Sequence, residues 1–278
     1  MSWIISPKEL HTSLNKNEEI IIIDVRSNLL NPDEGLEVYK KSHIPNAYYL
    51  HLTEDLSGEV KQHGGNHPLP DIEQFSHKLG QFGVTKDSKV VVYDDHHDMF
   101  APRAWWLLRY FGVNQTFVLN GGFKAWQEAG YEVTDEIPKA NDTEFIPSIK
   151  DDSVVTMEDV RNRNRDRTIL IDSRAYERYI GKVEPLYQKA GHIPGAVNYF
   201  WEEVFDVDGN WKTVVALKKH FKGLEDAEEI IVSCGSGVSA CANILALEMI
   251  GFKNIKLYAG SFSDWISYDE NEIETKEE

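Results

Sequence analysis

An internal repeat constrains the fold of this 278-residue chain more than any other feature. Each half carries an isoleucine-rich run ending in Asp-Val-Arg or Asp-Ser-Arg, a His-Ile-Pro segment, a short Val/Ile-rich run and an ending with an aromatic residue and tryptophan. The matched segments are 20–26 with 168–174, 42–47 with 191–196, 89–94 with 229–234, and 119–126 with 258–265. Four matched elements in the same order indicate a duplicated domain.

Each repeat alternates short apolar strands with longer helical stretches, such as those predicted over 102–111 and 240–250. Continuous apolar strands separated by helices predict an α/β fold, with a central parallel sheet and helices on both faces in each repeat. We expect an N-terminal domain over 1–137, a linker with two prolines and several charges over 138–153, and a C-terminal domain over 154–278. Ligands of such sheets bind beyond the carboxyl ends of the strands.

Composition narrows the class of protein. An apolar fraction of 41% with 11% aromatic residues is normal for a globular core, which excludes disordered and fibrous classes. The net charge of −17 argues against nucleic acid and anionic membrane surfaces as partners. No apolar run approaches about 18 residues and no secretion signal is visible. With only two cysteines, these features predict a cytoplasmic protein. The acidic tail, 269–278, is expected to be frayed.

Cys234 has the strongest chemical signal. It ends the strand-like run 229–234, and a loop of small residues, Gly-Ser-Gly-Val-Ser, connects it to the apolar helix. Backbone N–H groups converge in such a loop and the helix dipole adds to them, so the position favours a reactive thiolate. The alternative is a packed core cysteine. Cys241 we interpret as core, since helical rise separates the two by roughly 10 Å, too far for a disulfide.

These residues resemble the rhodanese superfamily, and specifically its tandem-domain sulfurtransferases, over nearly the whole chain. The resemblance implies a silent first domain and a second domain that carries the nucleophile. Asp94 stands where Cys234 stands in the repeat, and we expect it to be structural. The loop Cys234-Gly-Ser-Gly-Val-Ser239 is similar to the Cys-Gly-Ser-Gly-Val-Thr loop of 3-mercaptopyruvate sulfurtransferases. Thiosulfate-specific members carry Arg and Lys in place of Gly235 and Ser236.

The resemblance also implies a substrate-binding arginine, which by position is Arg178. A guanidinium can bind a carboxylate or sulfonate through two hydrogen bonds. We expect the neighbouring Arg174 to pair with a structural carboxylate. A second arginine, which animal mercaptopyruvate enzymes carry after a Pro-Glu-Pro turn, is absent, since residues 183–186 read Val-Glu-Pro-Leu. The neutral loop favours mercaptopyruvate as the donor, and the missing arginine leaves thiosulfate open.

The implied mechanism is covalent. The thiolate of Cys234 takes sulfur from a small donor and forms a persulfide, and a thiol such as reduced thioredoxin, or cyanide, then removes it. Loop amides would hold the negative charge and the donor. The residues assigned to that role are Gly235, Gly237, Val238 and Ser239. No cofactor is implied.

A proton relay through Ser236 is also implied by the resemblance. We assign its histidine to His43 and its carboxylate to Asp33. The alternative for His43 is that it only packs the His-Ile-Pro turn, as His192 must in the second repeat. No metal site is expected, because the glycines between His63 and His67 argue against a helix that would align the two rings, and we interpret both histidines as solvated loop residues.

Two other functions fit the fold. Phosphatases of the cell-cycle type have the same fold and a cysteine loop at the same place, but residues 235–240 of this chain lack the arginine that binds phosphate in them. A non-catalytic sulfur-relay module is the other, and the intact loop with Arg178 disfavours it. The oligomeric state leaves no readable signal.

Overall fold

A computed structural model describes residues 3–141 and 143–276, which divide into two compact units. The first unit comprises the chain up to Gly58, Leu69–Lys150 and Phe205–Trp211. The second comprises Glu59–Pro68, Asp151–Val204 and the chain from Lys212. Each unit therefore corresponds to one repeat, but also contains a short segment from the other half of the sequence.

The first unit contains five strands and five helices among the described residues. The strands are β1 (Ile4–Ile5), β2 (Ile20–Asp24), β3 (Ala47–Tyr49), β4 (Lys89–Tyr93) and β5 (Gln115–Leu119). The helices are α1 (Pro7–Asn15), α2 (Glu34–Lys41), α3 (Ile72–Gln81), α4 (Phe100–Tyr110) and α5 (Gly122–Glu128).

In its described part the second unit repeats this series with shorter elements. The strands are β6 (Val154–Val155), β7 (Thr168–Asp172), β8 (Val197–Asn198), β9 (Glu229–Ser233) and β10 (Ile255–Tyr258). The helices are α6 (Met157–Arg161), α7 (Tyr176–Tyr179), α8 (Val214–His220), α9 (Ala240–Met249) and α10 (Ser261–Trp265). Single 3₁₀ turns cover Asp151–Ser153 and Trp201–Val204.

The two sheets have the same topology. Their strand orders are β1-β5-β4-β2-β3 and β6-β10-β9-β7-β8, and all the strand pairs are parallel. In each, the two central strands end level with each other, with Asp24 opposite Tyr93 and Asp172 opposite Ser233. The residues after β4 and β9 therefore lie at the carboxyl edge of their sheets, where ligands of such sheets bind. The predicted α/β class is confirmed.

Local sequence explains how each unit begins. Ser6 caps α1 in a capping box with Glu9, and Thr156 caps α6 in a capping box with Asp159. Each box satisfies N–H groups that a helix start leaves unpaired.

The central strands are buried because their Ile and Val side chains face covered surfaces on both sides. All residues of α9 from Ala240 to Leu247 are buried as well.

Two predicted segments are more ordered than expected. The predicted linker packs on the first unit, where the N–H groups of Ser148 and Lys150 donate to backbone carbonyls at the end of α4 and just after it. The acidic tail pairs with the second unit, since Glu274 forms a bridge with His192 and the Lys276 N–H donates to Ile180. The expectation of a frayed tail is therefore wrong up to residue 276, and 277–278 lie outside the described residues. No described helix has the length and apolar character needed to cross a membrane.

Candidate active site

Cys234 follows β9 directly and is 2% exposed. The chain turns sharply behind it, so that the Gly237 N–H donates a hydrogen bond to the sulfur over 3.1 Å. This turn requires glycine, because Gly237 has a φ of +81° and a Cβ there would lie 2.2 Å from the carbonyl oxygen of Ala259. The sequence therefore places a backbone donor on the sulfur itself, as the loop composition predicts.

The segment after β10 holds the cysteine loop from the other side. The Cys234 N–H donates to the Ser261 hydroxyl over 3.0 Å, and this hydroxyl donates to the Tyr258 carbonyl. The Phe262 N–H donates to the Cys234 carbonyl, and the Ser263 N–H donates to that of Gly235. Sequence analysis missed Ser261. Its signal was available, because a serine stands where the first repeat has a glycine.

The remaining loop residues pack at the start of α9. Val238 is 1% exposed, and its carbonyl accepts from the Cys241 N–H. Ser239 is the N-cap of α9, where its carbonyl, rather than its side chain, accepts from the Ala242 N–H. Cys241 is fully buried in α9, as expected for a core residue, and both cysteines are free thiols.

Ser236 pairs with a histidine that sequence analysis assigned to a solvated loop. His67 Nδ1 lies 2.7 Å from the Ser236 Oγ, within hydrogen-bond distance. His67 is carried by the 59–68 segment, which belongs to the second unit although it lies far away in the sequence. The contact joins residues 169 positions apart, and no local pattern predicts it.

Several hydrogen bonds fix the 59–68 segment against the end of α10. The Gly64 N–H donates to Asp264 over 2.7 Å, and the Asn66 N–H donates to the Ser263 hydroxyl over 3.1 Å. The His63 ring stacks on Tyr268 at 4.0 Å between centroids. His67 therefore lies in a segment that hydrogen bonds hold in place. The interpretation of His63 and His67 as solvated loop residues is wrong for His67.

Both ring nitrogens of His43 are occupied within the first unit. It is completely buried in the first unit, with Nδ1 2.7 Å from the Tyr39 carbonyl oxygen and Nε2 3.2 Å from that of Glu136. His192 repeats this arrangement in the second unit, with its Nδ1 2.7 Å from the Tyr179 carbonyl oxygen. The assignment of His43 to the relay is wrong, because both rings serve the His-Ile-Pro turn.

Asp33 does not join a relay with His43 either. Its side chain is 84% exposed at the N-cap of α2, and its Oδ1 lies 3.3 Å from the His51 Nε2. A carboxylate so exposed is screened by water and has little influence on a distant ring. The assignment of Asp33 is therefore wrong.

Arg178 lies in the second unit and is held by a buried carboxylate. Its Nε and Nη2 donate to the two oxygens of Glu184 over 3.2 and 2.8 Å, and its side chain is 20% exposed. Glu184 also accepts from Arg174, which is paired with Asp172 as expected. Because Glu184 accepts from Nε and from one N–H of Nη2, the second N–H of Nη2 and both N–H groups of Nη1 are left for a substrate. Sequence analysis missed Glu184.

Comparison with known proteins gives the family. The family model of the rhodanese-like domain matches residues 6–129 and 156–268. The chain belongs to the rhodanese-like family. It is 33% identical to the 3-mercaptopyruvate sulfurtransferase of Escherichia coli, with 95% of each chain covered. It is 32% identical to the thiosulfate sulfurtransferase of Gallus gallus, over 84% of this chain and 81% of that one. The crystal structure of SseA from Escherichia coli, whose description refers to 3-mercaptopyruvate sulfotransferases, superposes with a TM-score of 0.82 at 32% identity, covering 95% of this chain and 100% of that one.

The two rhodanese-like domains differ at the key position. Asp94 replaces the cysteine in the first domain, is buried, and accepts a hydrogen bond from the Ala101 N–H at the start of α4 over 2.9 Å. The Phe123 N–H donates to the Asp94 carbonyl as that of Phe262 does to Cys234. Burial raises the pKa of Asp94 well above its usual value, and the Asp98 carboxylate adds to the effect. Asp94 therefore serves the fold, as predicted.

Proposed function

We propose that the protein transfers a sulfane sulfur from 3-mercaptopyruvate, through a persulfide on Cys234, to a thiol acceptor or cyanide. The observation that carries the proposal is the neutral loop around Cys234, in which a backbone N–H points at the sulfur and Ser236 is linked to His67. Relatives over most of the chain are named as 3-mercaptopyruvate sulfurtransferases, which supports sulfur transfer as the activity.

In the first half-reaction the Cys234 thiolate attacks the donor's sulfur. An S–S bond forms, the C–S bond breaks, and its electron pair leaves on the enolate of pyruvate. The Ser236 hydroxyl gives a proton to this enolate and recovers one through His67. The Gly237 N–H stabilises the charge on the bound sulfur. Arg178 binds the donor carboxylate through Nη1 while Glu184 fixes its orientation.

In the second half-reaction a thiolate acceptor, or cyanide, attacks the outer sulfur of the persulfide. The new bond forms at that sulfur, the S–S bond breaks, and its electron pair returns to Cys234. Reduced thioredoxin is the protein acceptor that we propose. A cytoplasmic location is part of the same proposal and is supported by the two free thiols, since reducing compartments keep cysteines unpaired.

Thiosulfate is the second candidate donor. It is favoured by the absence of a second arginine from residues 183–186 and by the relatives named thiosulfate sulfurtransferases. Thiosulfate is a compact dianion, and a cation in the loop would help it to approach the thiolate. The loop here offers amides and hydroxyls only, and these suit the carboxylate and keto group of mercaptopyruvate better.

Steady-state kinetics with both donors, and with cyanide as acceptor, tests the proposal. We expect kcat/KM to be at least about tenfold higher for 3-mercaptopyruvate, and Cys234→Ser to abolish turnover. Ser236→Ala and His67→Gln should each lower kcat, and the double variant should be no worse than the poorer single one, because the two act as a unit. A preference for thiosulfate would contradict the donor assignment. No turnover with either donor would indicate a sulfur-relay module.

A further inference from the structure

Tyr187 lies beside the cysteine loop, within the second unit. An ideal Cβ built on Gly235 would lie 2.8 Å from the Tyr187 hydroxyl oxygen. The tyrosine ring packs edge-on against Phe262, with its centroid 6.0 Å from that of the phenylalanine, and lies 5.4 Å from the Arg178 guanidinium carbon. The side chain therefore extends from the proposed carboxylate-binding arginine to the residue next to the nucleophile.

The Tyr187 hydroxyl makes no hydrogen bond to any residue that the structure describes. The hydroxyl of a partly buried tyrosine normally makes a hydrogen bond. Because the Tyr187 hydroxyl lies beside the cysteine loop without such a bond, it is available to a ligand. Burial raises the pKa of Tyr187, and the negative charge of the nearby Cys234 adds to the effect. The phenol is therefore protonated at neutral pH and acts as a hydrogen-bond donor.

The same contact restricts position 235. Any side chain there would meet the phenol oxygen inside van der Waals distance, so the phenol must move away before the loop can carry one. Arginine, which thiosulfate-specific enzymes carry at this position, is the extreme case. Tyr187 follows residues 183–186, the segment in which a second arginine is missing. A neutral donor, the Tyr187 hydroxyl, thus lies near both Arg178 and the cysteine loop.

We propose that Tyr187 is a specificity-determining residue, whose hydroxyl donates a hydrogen bond to the keto acid of a bound 3-mercaptopyruvate and whose position keeps residue 235 a glycine. The proposal rests on the sulfur-transfer function above and adds a residue that discriminates between donors. A donor bound by its sulfur at Cys234 and by its carboxylate at Arg178 has its keto oxygen between the two, next to the phenol.

The test compares kcat/KM for 3-mercaptopyruvate and thiosulfate in the wild type and Tyr187→Phe, which keeps the ring. Tyr176→Phe is the matched control, because Tyr176 lies in the same unit and is 53% exposed. We expect Tyr187→Phe to lower the mercaptopyruvate value by about tenfold or more, the effect of one hydrogen bond to a charged ligand. The thiosulfate value should change by less than about threefold, and the control should change neither.

Gly235→Ala tests the steric part. Its methyl group should displace the phenol and so lower kcat/KM for 3-mercaptopyruvate as Tyr187→Phe does. The double variant should show no greater loss of kcat/KM than either single variant. Equal losses for both donors in Tyr187→Phe, no loss at all, or additive losses in the double variant would overturn the inference while sulfur transfer stands. A wild-type enzyme inactive with both donors would overturn both proposals, and thermal unfolding of each variant verifies that it folds.

Discussion

Gly64 and Gly65 provide a direct test of the link between the 59–68 segment and catalysis. Both have a positive φ, +104° and +80°, so alanine at either costs roughly 1–2 kcal/mol of backbone strain. Their surroundings differ. A Cβ on Gly64 would meet nothing within 4 Å, whereas one on Gly65 would lie 2.4 Å from the backbone oxygen of Gly260. Ordinary contact begins near 3.4 Å, so Gly65→Ala must shift the segment by about 1 Å.

A shift of this size removes the Ser236–His67 hydrogen bond, which is 2.7 Å long and is lost beyond about 3.5 Å. Misplacing a catalytic group by about 1 Å can lower the rate about 10²-fold. We therefore expect kcat of Gly65→Ala to fall about 10²-fold, and that of Gly64→Ala to stay within about threefold of the wild type, since an open position leaves His67 in place.

The assay is release of pyruvate from saturating 3-mercaptopyruvate, with thermal unfolding to establish that both variants are folded at the assay temperature. His67→Gln is then added to each. In the Gly65→Ala background it should have little further effect, because the contact is already lost, whereas in the Gly64→Ala background it should have its full effect. Equal losses of kcat in the two alanine variants would refute the reasoning.

Substitutions at three further positions probe the packing around the site and in the first domain. Glu184→Gln should cost about 1.5–3 kcal/mol of stability in urea unfolding, because it removes the carboxylate that Arg178 shares with Arg174, and should raise KM for the donor through Arg178; unchanged stability and KM would contradict this. Ser261→Ala should cost about 1–3 kcal/mol by removing the acceptor of the buried Cys234 N–H. Ser261→Gly should cost less, since Ser261 has a φ of +53° that glycine adopts without strain; an equal or greater cost would count against the strain argument. Because the pKa of Asp94 is raised in the fold from an ordinary 3.8, the folded protein binds that proton more tightly and loses stability as the pH rises from the ordinary value towards the raised one. Asp94→Asn should therefore gain stability relative to the wild type as the pH rises above the ordinary value of 3.8, and a difference that does not vary with pH would contradict the shift.

The sheets and the position of Cys234 could be predicted because their signals are local. Runs such as 20–24 and 229–233 are continuously apolar, which is typical of strands covered on both faces, and both form central strands. Cys234 was placed correctly because a strand end followed by small residues and a helix has one usual geometry in parallel sheets. The core role of Cys241 followed from the apolar character of α9.

The relay histidine could not be predicted from local signals. His67 reaches Ser236 because the 59–68 segment packs within the second unit, through single hydrogen bonds and a Gly65 that fits against Gly260. Irregular segments held by such contacts have no periodic pattern from which their position can be read. The relay histidine was assigned to His43 instead, because the His-Ile-Pro motif is easy to recognise in both halves of the sequence.

The same motif shows why the assignment of the relay to His43 is wrong. Each half of the chain has a His-Ile-Pro histidine, so the two halves serve as internal controls for each other. Arg26 pairs with Asp24 in the first domain as Arg174 pairs with Asp172 in the second, and the two histidines of the His-Ile-Pro turns bind backbone carbonyls in the same way. A residue with the same geometry in both copies, only one of which carries a cysteine at the strand end, serves the fold. The differences between the copies lie around that cysteine. Cys234 replaces Asp94, a serine that bonds to the Cys234 N–H replaces Gly122, and a glycine replaces Asp95 at the position that Tyr187 covers.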